Sequence, residues 1–158
     1  MDGRMQLTQH TDYGLRLLIV LARHAERAAA GDAAGPVALP EFAASQKLSY
    51  HHVAKVAQAL AREGFIHSRR GRSGGVALAR PAGEITIGQV VRVLERAMQL
   101  ADCGRCALRG DCSTSGFLAE ALAAFLAVLD RITLAEAARQ HTPAFAPWAA
   151  ARDAGEPG

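Results

Sequence analysis

The chain has 158 residues, half of them hydrophobic and 21% charged, which suits one packed domain with a small appendage and excludes wholesale disorder. A formal charge of +3 hides an asymmetry: residues 1–80 carry 11 Lys and Arg against 6 Asp and Glu, whereas residues 81–158 carry 7 against 9. The front half is therefore the half suited to a polyanion. The polar start predicts no secretory signal, apolar runs such as residues 17–22 are far too short to cross a bilayer, and the odd, bunched cysteines point to a reducing cytoplasm.

A first helix is predicted from residue 8 to about 27, with Leu15, Leu18, Ile19 and Ala22 at helical spacing and Leu17, Val20 and Leu21 on further faces. Gly31, Asp32, Gly35 and Pro36 mark a loop, and Pro40 suits the first turn of a short second helix over residues 40–45. After a tight turn at 46–48, Ser49 is the expected N-cap of a third helix ended by Gly64. Its apolar stripe is Val53, Val56, Ala57 and Leu60. The opposite stripe is His51, Lys55, Gln58 and Arg62, with His52 beside it. A single such helix is more often a solvated amphipathic helix, but as the second member of a helix–turn–helix pair it is a DNA reader.

The next segment favours the second possibility. Residues 65–70 and 76–80 read as two strands around a glycine-rich turn, with Arg69, Arg70 and Arg72 at the hairpin tip. Three clustered arginines repel one another unless phosphates lie between them, and the glycines permit close approach to a sugar–phosphate surface. The turn joins two strands and no Lys-Ser/Thr pair follows it, which argues against a nucleotide-binding P-loop. The expected fold is mainly α: a winged helix-turn-helix with a two-stranded wing, plus a long C-terminal dimerisation helix. Tyr50, His51, His52 and Lys55 are expected at base edges, and Ser49, Arg69, Arg70 and Arg72 at phosphates.

Thr86 and Gln89 form a capping box for a fourth helix with the stripe Ile87, Val90, Val91, Leu94 and Ala97. A cysteine loop follows over residues 102–114. Thr114 or Ser115 then caps a long helix carrying Leu118, Leu122, Phe125, Leu129 and Ile132 at coiled-coil spacing. A second stripe of Phe117, Ala121, Ala124 and Val128 widens that face, which a homodimer on a palindromic operator would cover; packing on the chain's own core is the plainer alternative. Thr133 and Glu136 cap a last short helix. Three units are expected: a DNA-binding domain at 5–83, a linker helix, cysteine loop and dimerisation helix at 84–140, and a loose tail at 141–158.

All three cysteines, Cys103, Cys106 and Cys112, fall in one loop, an odd and tightly bunched set that reads better as a ligand cluster than as a disulfide framework. An iron–sulfur cluster, tetrahedral zinc and a dithiol switch all fit three thiols, and spacing alone does not separate them. Arg105 and Arg109 would favour the thiolate in each case. A CxxC oxidoreductase would need the motif at a helix start after a strand, which is absent, and no catalytic triad or carboxylate pair stands out, so an enzyme is not expected. Asp12, near the start of the first helix, ordinarily complements the helix dipole, but in a two-fold dimer it could reach the partner's cysteine loop and supply a fourth ligand.

The stretch from Met5, MQLTQHTDYGLRLLIVLA, then LSYHHVAKVAQALAREGFIHSRRGRSGGVALAR, and a short cysteine loop before a long helix ending in ITLAE resemble the iron–sulfur repressors of the NsrR and IscR kind, nearest to the nitric-oxide-sensing NsrR type. The resemblance implies a dimeric winged-helix repressor of a palindromic operator, with nitric oxide as signal. It implies an iron–sulfur cluster, 2Fe–2S or 4Fe–4S, held by Cys103, Cys106 and Cys112, with Asp12 matching an aspartate that some members supply from the partner subunit. IscR-like members place a histidine where this chain has Ser115, and the two-residue gap between Cys103 and Cys106 is shorter than family loops usually have.

Overall fold

The computed structural model describes residues 6–71, 74–95 and 98–139. It is mainly helical, with one two-stranded antiparallel sheet. Arg72 and the stripe residue Ala97 lie outside the described residues, as does the tail from 141 onward.

Helix α1 (Gln9–Ala29) starts at Thr8, whose hydroxyl accepts the Thr11 N–H, and buries Leu17, Leu18, Leu21 and Ala22 almost completely. Helix α2 (Leu39–Ser45) carries Pro40 in its first turn and buries Phe42 and Ala43. Lys47, at φ 55°, makes the left-handed turn into α3 (Tyr50–Arg62), whose Val53, Val56, Ala57 and Leu60 form the expected buried stripe. Ser49 stands at the N-cap position, but its side chain makes no capping hydrogen bond, so the expected cap contributes position without the bond. Gly64, at φ +73°, ends the helix, and the Phe65 N–H turns back to the Leu60 carbonyl at 2.9 Å.

Strands β1 (Ile66–Arg69) and β2 (Gly75–Leu78) pair with Ile66 opposite Leu78 and Arg69 opposite Gly75. The wing has a further rung that the sequence does not announce. Val37, within the apparent loop before α2, exchanges two 2.9 Å backbone hydrogen bonds with Val76. A Cβ at position 75 would overlap the Val37 carbonyl, so glycine is what allows this approach.

Helix α4 (Ile87–Leu94) begins with the complete Thr86–Gln89 capping box and buries Ile87, Val90, Val91 and Leu94. Helix α5 (Thr114–Asp130) starts after Ser113, one residue before the expected caps, and Ser113 makes no side-chain cap bond. None of its residues is buried. Helix α6 (Leu134–Ala138) has the complete Thr133–Glu136 box and returns to the body of the protein. Backbone bonds from Ile87 N–H to the Ile132 carbonyl and from Leu134 N–H to the Ile85 carbonyl hold it, as does an Arg23 Nε–H donated to the Ala138 carbonyl at 2.8 Å. No described helix is long and apolar enough to cross a membrane.

Candidate functional site

The face opposite the buried stripe of α3 carries Tyr50, His51, His52 and Lys55, all exposed, with Tyr50 at 54%. Burial of Val53, Val56 and Leu60 against α1 and α2 forces these residues outward, because a helix repeats every 3.6 residues. The His51 and His52 rings lie 6.0 Å apart with their planes tilted by 52°. Exposed Arg69 and Arg70 extend the same polar character onto the wing. Among the described residues, Lys55, Arg69 and Arg70 have no carboxylate within ion-pairing distance, so their charges are free for an anionic partner. The guanidinium of Arg80, by contrast, lies 4.8 Å above the Phe65 ring and fastens the base of the hairpin.

The second group lies between α4 and α5. A single-turn 3-10 helix over Cys103–Arg105 and the turns after it fold the loop so that Cys103, Cys106 and Cys112 line one cavity of about 290 Å³, together with Gly104, Leu108, Arg109, Gly110 and Ser115. Gly110, at φ +95°, supplies the left-handed turn that brings Cys112 back toward the first two cysteines. All three thiols are free and at least partly accessible.

Hydrogen bonds from the Thr114 hydroxyl and then from the Thr114 and Ser115 backbone N–H groups hold the Cys112 thiol below its ordinary pKa, outweighing the opposing effect of burial. The start of α5, not the expected Arg105 and Arg109, is thus what favours the Cys112 thiolate. Arg105 faces Asp102 at 3.9 Å, and Arg109 donates to the Gly104 carbonyl at 3.5 Å. Among the described residues no three His, Cys, Asp or Glu side chains gather closely enough to hold one metal ion. The three thiols lining one cavity are a donor set chemically suited to thiolate-held metal, an iron–sulfur cluster or zinc alike.

Asp12 does not line this cavity within one chain. It pairs with Arg16 one turn along α1, at 2.8 Å, with both side chains about half exposed. The spacing of Asp12 and Arg16 announces this pair in the sequence.

Glu95, directly after α4, is a residue that local sequence patterns give no reason to select. Its carboxylate accepts the Thr8 backbone N–H at 2.5 Å and the Thr8 hydroxyl at 2.9 Å, and also bonds the Thr11 side chain, so it caps α1 from another helix. Burial pushes the Glu95 pKa upward, but these bonds and the nearby His10 outweigh it and leave it below its ordinary value.

Residues 7–140 match the Rrf2 family of iron-dependent transcriptional regulators. The chain is 38% identical over 135 residues to the HTH-type transcriptional regulator NsrR of Shouchella clausii, covering 82% of this chain and 86% of that one. It is 39% identical over 137 residues to NsrR of Geobacillus kaustophilus, covering 84% and 88%. Among solved structures it resembles CymR, the global cysteine regulator of B. subtilis, with a TM-score of 0.68 and 27% identity over 85% of this chain and 97% of CymR. It also resembles IscR of T. potens, with a TM-score of 0.68 and 26% identity over 92% and 96%.

Proposed function

The chain belongs to the Rrf2 family of iron-dependent transcriptional regulators, proteins that are not enzymes, and from that premise we propose that it is a homodimeric repressor whose operator binding depends on an iron–sulfur cluster that senses nitric oxide. The observation that carries this reading is the cavity ringed by Cys103, Cys106 and Cys112, joined by α4 to the body that displays the basic face.

The three cysteines would hold the cluster, with Asp12 of the partner subunit as the fourth ligand once it leaves Arg16. When bound, the cluster supplies thiolate-held iron that reacts with nitric oxide. The protein's own part is binding and positioning. In a two-fold dimer, α3 of each protomer enters a major groove, with Tyr50, His51, His52 and Lys55 at base edges. Ser49, Arg69, Arg70 and Arg72 hold phosphates on either side. The exposed face of α5, with Phe117 66%, Phe125 42% and Val128 46% accessible, packs on its counterpart and sets the separation of the two α3 helices. The domain division at residues 5–83, 84–140 and 141–158 belongs to the same proposal, as does a cytoplasmic setting, whose reducing conditions keep thiols free for a ligand role.

The test is anaerobic purification followed by visible absorption and native mass spectrometry before and after nitric oxide. A coloured dimer that binds a palindromic duplex and releases it on exposure to nitric oxide is expected, with colour lost in Cys112→Ala. A colourless protein that still responds to zinc or to thiol oxidation would replace this reading with metal or dithiol control.

A further inference from the structure

The end of α4 touches both halves of the machinery proposed above. Glu95 leads into the segment that carries the cysteines, and its carboxylate holds the backbone and hydroxyl of Thr8 and the side chain of Thr11, the only buried polar residue among those described. One helical turn along α1 from Thr11, Gly14 is buried at a three-way crossing. A Cβ there would overlap Leu94 Cδ1 and would lie 3.4 Å from Val56 Cγ1 of α3. Leu94 and Glu95 thus grip α1 at a polar point and an apolar point, and the apolar point reaches the helix that carries Tyr50, His51, His52 and Lys55.

Interiors this closely packed switch between discrete arrangements instead of deforming smoothly. A shift at residues 94–95 would therefore displace the start of α1, with Asp12 on it, and the Val56 side of α3 together. A carboxylate makes the polar half of this joint directional, since it engages only donors at the open start of α1.

We infer that Glu95 is a positioning residue that transmits the state of the cysteine loop to α3, by holding the start of α1 in one register against the end of α4. The inference rests on the cluster-dependent regulation proposed above. It requires that the two states of the protein differ in DNA affinity by a factor that Glu95 helps to set.

The experiment measures the affinity of cluster-loaded and cluster-free dimer for a duplex selected from a random-sequence pool by loaded wild-type protein, at fixed salt. The comparison covers wild type, Glu95→Ala and Glu95→Gln, with visible absorption and melting temperature recorded for each. Glu95→Ala is expected to keep the absorption of wild type and to reduce the loaded-to-free affinity ratio by at least about fivefold. Glu95→Gln, whose amide oxygen can still accept the Thr8 N–H, should restore most of the ratio. A lowered melting temperature in Glu95→Ala with an unchanged ratio would mean that the residue only stabilises the fold, and would overturn the inference. If wild type itself binds the duplex equally in both states, the regulatory reading fails and the joint fails with it.

Discussion

The Arg92 guanidinium holds the Asp130 carboxylate through two parallel hydrogen bonds of 2.5 and 2.6 Å, tying the last turn of α4 to the last turn of α5. Gly88, one turn earlier on α4, lies so close to this pair that a Cβ would overlap the Asp130 carboxylate and approach the Asp130 backbone nitrogen at 2.9 Å. Gly88→Ala should therefore cost about 1–3 kcal/mol through overpacking at a buried crossing. Asp130→Asn should cost less, because both charged partners are partly exposed and solvent screens them. Urea denaturation of the two variants checks the order, and a Gly88→Ala protein as stable as wild type would mean the helices part freely there.

The apolar surface of α5 gives a second expectation. Phe117 and Phe125 remain 66% and 42% accessible, and α5 keeps none of its own residues buried within the chain, so both rings still have aromatic surface to bury. Phe125→Glu should convert the proposed dimer to a monomer in sedimentation at micromolar concentration while leaving the helical circular-dichroism signal of the body intact. Operator affinity should fall with it, because one α3 helix then binds without its partner. A Phe125→Glu protein that sediments as a dimer would place the subunit contact elsewhere.

The features readable in the sequence are those whose partners lie within a few residues. The Val53, Val56, Ala57 and Leu60 stripe, the Thr86–Gln89 and Thr133–Glu136 boxes and the wing hairpin follow from helical period, capping chemistry and turn glycines, and all form. Ser49 shows the limit of this local reading: it occupies the cap position but makes no bond there. The Thr8–Glu95 cap, the Arg92–Asp130 pair and the Val37–Val76 rung join residues far apart in the chain and leave no short-range signature. The cysteine loop falls between these cases. Its bunched thiols are visible in the sequence, but the common cavity and the influence of Thr114 on Cys112 depend on how the loop folds onto α5.

Arg70 and His51 should fail in different ways. Arg70 is exposed on the wing with no ion-pair partner among the described residues, so Arg70→Ala should weaken binding to every duplex sequence and lower the salt slope by about one. His51 projects from the outer face of α3, so His51→Ala should cost about 1–3 kcal/mol against the preferred base pair at one position and little elsewhere. Fluorescence anisotropy over a salt series, with single-base variants of the duplex, separates the two. A base-specific loss in Arg70→Ala would exchange the two assignments.

Acid should act through Glu95. Its pKa in the folded chain lies below the ordinary 4.5: burial opposes the shift, but the bonds from Thr11 and Thr8 and the charge of His10 prevail. The unfolded chain therefore takes up the proton first as pH falls. The stabilisation from this carboxylate is full above about 4.5 and disappears as pH drops through the lower folded value. Asp130 and Glu136 are likewise depressed, by Arg92 and by Thr133, so wild-type protein loses stability in acid for several reasons at once. Glu95→Gln removes one of these contributions. In the metal-free protein, its urea midpoint should fall below that of wild type at neutral pH, and the gap should close as pH is lowered from about 6 to about 3. A gap that stayed constant across this range would show that the charge of Glu95 is not what holds the start of α1.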